Sequence, residues 1–199
     1  MAKSVETKAT QPELTVKDVE AWRSWLDQNE DVSDGVWLVM AKKGHTEPTS
    51  LTYAEALDEA ICSGWIDGQR RSLNEVSFIQ RFTPRRKASM WSMRNVDFVA
   101  RLTAEGRMRP RGELEVSKAK ADGRWERAYP GASTLVVPED VLTALELAGV
   151  LEAFESLASQ PRYASVIPVI TARTPEQRAK KLERMVASLQ AKPDTKPAA

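Results

Sequence analysis

Three kinds of side chain in this sequence have the chemistry to make a site: one histidine, one cysteine, and a block of arginines set around a single carboxylate. The block runs from Gly64 to Asn95, GWIDGQRRSLNEVSFIQRFTPRRKASMWSMRN, and its seven basic and two acidic residues give it a net charge of +5, against +1 for the whole chain. Positive charge this localised points to a face that meets anions, not to a generally basic protein. Within the block Asp67 lies beside Trp65 and between Gly64 and Gly68. If buried it needs a donor, and Arg81 or Arg85 on a neighbouring strand has the bidentate fork for it. Two readings follow: a structural ion pair that fixes strand pairing, or a ligand pocket floored by Trp65 and edged by Arg81, Arg85 and Trp91. Arg70, Arg71, Arg86 and Arg94 extend the basic face. Guanidinium forks match phosphate and carboxylate, and Trp91 offers a stacking surface. The plainer alternative is a solvated face whose arginines pair with Glu55, Asp58 and Glu59 on the preceding helix.

His45 sits in a polar loop with no orienting partner identifiable nearby, so a solvated imidazole accounts for it better than a general base. Cys62 falls in the last turn of a helix, whereas activated thiolates favour helix N-termini or adjacent cations; the neighbouring arginines keep that option open beside a buried, inert thiol. One histidine and one cysteine give no ligand set for a metal, and neither GxGxxG nor GxxxxGK[ST] occurs, so no metal and no cofactor are expected.

These residues need elements to hold them. A chain of 199 residues, 42% hydrophobic and 29% charged, has the composition of a soluble globular protein with one sizeable core or a main domain plus an appendage. The polar start MAKSVETKATQPE shows no signal-peptide pattern and no run has the apolar length of a membrane span, which makes a cytoplasmic location the expectation. Val19, Trp22, Trp25 and Leu26 form the apolar stripe of a first helix that ends near Gln28. Val36–Ala41 (VWLVMA) is a continuous apolar run of strand length and reads as a central strand. Lys42 to Ser50 reads as a polar loop, and Thr52 with Glu55 as the capping box of a second helix ended by Gly64. Residues 65–71 and 76–83 read as two strands around a turn. Strict alternation puts Trp65, Asp67 and Gln69 on one face of the first, and Phe78, Gln80 and Phe82 on one face of the second.

Two more helices follow, one from Ser92 or Asn95 to Gly106 and one from Pro110 to Gly123. All six tryptophans precede Pro130, after which short helices take over. The last of these, after Thr174, carries Leu182, Met185, Val186 and Leu189 at helical spacing, while Pro168 is expected to bend or break the helix before it. The fold class expected is therefore α+β, a small β-sheet packed with helices over 14–129, followed by an all-helical module over 136–190, with disordered tails at 1–13 and 191–199.

The segments WLVMAKKG, LTYAEALDEAICSGWIDGQ, FIQRFTPRR, LTAEGRM and AKADGRW, with VPED and PEQRAKKLERMV in the last third, resemble the YdeI/OmpD-associated, or bacteriocin-protection, family over roughly residues 20–190. The resemblance implies a link to resistance against bacteriocins or antimicrobial peptides, to stress response and to envelope biology. It brings no catalytic residues and no cofactor. The expected function is a non-enzymatic cytoplasmic protein that binds a small anionic ligand or acidic protein partner through the arginine face. The alternatives are an enzyme with a carboxylate and arginine site around Asp67, and a nucleic-acid binder using the same arginines with Trp91.

Overall fold

In the computed structural model the described residues are 11–191. Of the expected tails, residues 1–10 and 192–199 lie outside them, whereas Glu13 belongs to a strand. The elements run β1 (Glu13–Leu14), α1 (Val19–Asn29), β2 (Val36–Ala41), α2 (Tyr53–Cys62), β3 (Trp65–Ser72), β4 (Ser77–Pro84), α3 (Met93–Ala104), α4 (Pro110–Ala121), α5 (Glu139–Leu147), α6 (Leu151–Glu155), α7 (Ser159–Ile170) and α8 (Pro175–Gln190). The architecture is α+β with a helical C-terminal part. The described residues fall into two compact units: the first takes 11–89 together with 95–123, the second 90–94 with 124–191.

In the first unit the four strands are ordered β1-β2-β4-β3. β2 is central as its apolar run requires, parallel to β1 and antiparallel to β4, and β3 forms the edge. Helix starts follow local chemistry. Asp18 accepts from the Ala21 amide at 3.0 Å, and Thr52 and Glu55 form the reciprocal capping box. One sheet face, with Leu38, Met40 and Phe82, lies in a core completed by Trp22, Leu26, Leu57, Ile61 and Trp65, all 0–2% exposed. Trp22 stacks on Trp25 at 5.3 Å, and Trp65 meets Trp25 edge-on at 5.8 Å. Both buried indoles keep their N–H satisfied, Trp22 donating to the Ala56 carbonyl and Trp65 to that of Glu30.

Helices α2 and α4 approach so closely that a side chain at Gly112 would overlap the Cys62 carbonyl. Gly112→Ala is therefore expected to destabilise by roughly 3 kcal/mol, the upper end of the overpacking range, because backbone and not a flexible side chain must give way. A lowered urea midpoint with unchanged slope is the readout.

In the second unit Val141, Leu145, Val150, Phe154, Val166, Val169, Met185 and Leu189 form the core, with Leu142 packed against it. Val166 and Val169 occupy the positions facing it on α7, and Ile167 is half-buried. Helix α7 runs through Pro168 to Ile170. The proline withholds one N–H, from the Ala164 carbonyl, only two residues before the helix ends, so the turn closes behind it with Thr171 donating to the Ile167 carbonyl.

Candidate functional site

β3 does not alternate strictly. Asp67 lies opposite Phe82 but Arg70 lies opposite Gln80, so Gly68 and Gln69 together oppose a single residue, a β-bulge. The extra residue changes the parity of everything after it. Arg70 comes onto the same face as Asp67, the face that carries Phe82 and Gln80, and Arg71 goes to the other face, where its guanidinium stands 4.5 Å from the Trp37 ring centroid. The Gln80 side chain, 3% exposed, holds the bulge by donating to the Gly68 carbonyl at 2.9 Å and the Gln69 carbonyl at 3.3 Å. Gln80→Leu removes that donor while keeping an apolar body of similar size, and is expected to cost about 1–2 kcal/mol. Loss of hydrogen-exchange protection confined to the hairpin amides is the measurement that separates this from global unfolding.

On the face so defined, Arg70 and Phe78 form one wall of a cavity of about 410 Å³. The other walls are the loop after β2, with Lys42, Lys43 and His45, and the approach to α2, with Thr49, Ser50, Thr52 and Tyr53. Arg70 is 3.7 Å from the Phe78 ring centroid, which holds the guanidinium without neutralising it. Lys42 reaches back to the hairpin turn, its Nζ donating to the Asn74 carbonyl at 2.7 Å and to Ser72 Oγ at 3.3 Å. Tyr53 donates its hydroxyl to Asp67 Oδ2 at 2.7 Å. Three cations and four hydroxyl-bearing residues are among those lining the cavity, and no carboxylate is. The hydroxyl protons are used elsewhere, those of Thr49 and Ser50 on the Lys17 carbonyl, that of Thr52 on Glu55 and that of Tyr53 on Asp67, so it is the three cations that suit an anion.

The residues singled out in the sequence separate. Asp67 and Arg70 share a sheet face, and Asp67 meets Tyr53, which was not among them. Trp65 is buried in the core, not open to a ligand. Arg81 lies on the opposite sheet face, opposite Trp37, and donates to Gln11 Oε1 at 2.7 Å. Arg85 is buried, 6% exposed, with its backbone amide on the Gly64 carbonyl. Arg86 is exposed, its amide donating to Ser89 Oγ. Trp91 and Arg94 fall in the second unit, where Trp91 packs edge-on against Trp125 at 5.0 Å. His45 is exposed, and Lys42 and Lys43, read only as polar loop, are residues the sequence reasoning missed. Among the described residues no group of three His, Cys, Asp or Glu is arranged to hold a metal.

Glu59 and Asp58 pair with arginines, but not with those of the basic block. Glu59, with a side chain 2% exposed, accepts from Arg23 on both oxygens at 2.8 and 3.0 Å, from Arg107 at 2.9 Å and from Arg109 at 2.7 Å. Asp58 accepts from Arg101 at 2.6 Å, and Glu55 is used in the capping box. Burial opposes the Glu59 charge, but the hydrogen bonds from Arg23 and Arg107 and the nearby guanidinium charges outweigh it, so its carboxyl is held below the usual range. The same region makes Cys62 inert: burial first, then the Glu59 charge, push its thiol up to about 11.

Residues 14–115, which contain the whole cavity, match the family described as a domain of unknown function (DUF8412). Residues 134–192 match the family described as bacteriocin-protection, YdeI or OmpD-associated. No curated protein and no solved structure matches the chain. The chain thus belongs to the family described as a domain of unknown function (DUF8412) and carries, over residues 134–192, a domain of the bacteriocin-protection, YdeI or OmpD-associated family.

Proposed function

We propose that this chain is a non-enzymatic binding protein that takes the phosphate or carboxylate of a small anionic molecule into the cavity between Lys42, Lys43 and Arg70. The observation that carries this reading is the bulge at Gly68 and Gln69, which puts Arg70 on the sheet face of Phe78 and Gln80, in a cavity whose charged lining is Lys42, Lys43 and Arg70 with no carboxylate. A binding role is supported over catalysis because His45 is exposed, Cys62 stays a thiol, and Asp67 is occupied by the Tyr53 hydroxyl. On this reading residues 14–129 form the ligand-binding domain and 136–190 a separate helical one. The name of the family matched at 134–192 supports a part in bacteriocin protection, and on this reading the protein works in the cytoplasm.

Thermal unfolding of the full chain with inorganic phosphate, pyrophosphate, citrate, adenosine monophosphate and single-stranded DNA, at two salt concentrations, tests the proposal. A ligand at a hundred times its Kd adds about 2.7 kcal/mol, which for a protein of this size raises Tm by roughly 5–10 °C. The expected result is such a rise with at least one small anion. A response to DNA alone, steeply weakened by salt, favours the nucleic-acid alternative. No response to any of them returns the basic block to a solvated face.

A further inference from the structure

The second unit contains a groove that the anion pocket does not explain. It has a volume of about 530 Å³ and runs between α7 and α8. On α7 its wall is Pro161, Ala164, Ser165 and Pro168, and on α8 it is Lys181, Arg184, Met185 and Ser188. Both sets are spaced i, i+3, i+4, i+7, so each is one stripe along its helix, about 10 Å or two turns long at 1.5 Å per residue. Ala164, Ser165 and Ser188 are small, which leaves the space between the helices open, and Pro161, Ala164, Pro168 and Ser188 are exposed. Met185 supplies an adaptable apolar floor.

The charge of the groove is one-sided. Arg178 is committed to Asp140 at 2.8 Å, but Lys181 and Arg184 form no ion pair among the described residues, and no carboxylate lines the groove. We propose that this groove receives an acidic amphipathic helix of a protein partner, with two or three apolar anchors on the floor and Asp or Glu beside Lys181 and Arg184. The two-turn length matches anchors at i, i+3 or i+4, and i+7. A small amphiphile fits less well, because sites for such molecules enclose most of the ligand surface and this groove is open along its length. A membrane surface fits less well too. The apolar and cationic residues line a concavity between two helices, and no aromatic residue is among them to anchor at an interface.

The test uses the full chain. A display library of random 16-residue helix-forming peptides is selected against it, and the enriched peptides are measured by fluorescence anisotropy against the wild-type chain, the double variant Lys181→Glu with Arg184→Glu, and Ser188→Trp, which fills the groove. These side chains are exposed or half-buried, so an unchanged Tm certifies the fold of each variant. The expected outcome is enrichment of sequences with Leu, Ile or Phe at i, i+3 or i+4, and i+7 flanked by Asp or Glu, with Kd weakened at least tenfold by both variants. Enrichment of basic or unpatterned peptides, no enrichment, or equal binding by the variants overturns the proposal. So does a preference for vesicles of mixed anionic and zwitterionic phospholipid that the double variant loses while peptide binding is absent, since that assigns the cations to a membrane.

Discussion

Replacing Glu59 by alanine will lower the unfolding free energy by roughly 3–5 kcal/mol, the range for removing one partner from a buried ion pair. The carboxylate is almost wholly buried and receives four charge-assisted hydrogen bonds, two from Arg23 of α1 and one each from Arg107 and Arg109 in the link between α3 and α4. Its loss leaves three guanidinium groups facing one another around an emptied site. Arg23 and Arg107 are 49% and 32% exposed at the side chain and reach water, so the lower end of the range is expected, with Arg109, at 17%, contributing most of the penalty. The pH dependence has a definite sign. A carboxyl held below its usual range in the folded state stabilises the protein fully above the unfolded value, about 4.3, and that stabilisation is lost as pH falls through the folded value. Urea midpoints measured from pH 7 to pH 3 should thus fall below about pH 4 in the wild type and fall less in Glu59→Gln. Equal acid sensitivity in the two proteins places the acid-labile group elsewhere.

The second large effect concerns ligand binding. Arg70→Ala is expected to weaken anion binding by about tenfold to a hundredfold, since a hydrogen bond to a charged group contributes roughly 1.5–3 kcal/mol. Arg71→Ala, one residue along the same strand, is expected to change it by less than a factor of about two, the residual effect of removing a distant, screened charge. Both residues are exposed arginines of an edge strand, and composition does not distinguish them. What separates them is the bulge, which sends Arg70 toward Phe78 and the cavity and Arg71 toward Trp37. Titration of pyrophosphate into each variant, followed by calorimetry, reads the difference. Equal losses in both would mean a diffuse field and not a pocket.

Much of the framework was legible because its causes are local. Val36–Ala41 is a strand because six consecutive apolar residues need cover on both faces, and α2 starts at Tyr53 because Thr52 and Glu55 satisfy each other's amides. β1 was hidden for the opposite reason. Two residues, Glu13 and Leu14, carry no pattern of their own and become a strand only by pairing with Trp37 and Leu38. The bulge was hidden because alternation is the sole rule a strand sequence displays, and the residue that secures the exception, Gln80, is 11 and 12 positions away. Partners 36 to 50 positions apart explain why Glu59 was matched with the wrong arginines: charge counts identify which block is basic, not which groups the chain brings together. The candidate site was half visible. Asp67 and Arg70 were named, but Lys42 and Lys43 looked like loop, and Tyr53 looked like helix.

Whether an anion is held at the β2–α2 loop and the bulged hairpin is read most directly from a backbone amide chemical-shift map of the full chain titrated with pyrophosphate. Saturable shifts are expected at Lys42 to His45, Thr49 to Tyr53 and Arg70, with Trp37, Arg71 and Arg81 on the opposite sheet face unmoved. Shifts centred on Arg71 and Arg81, or on Trp91 in the second unit, would contradict that placement.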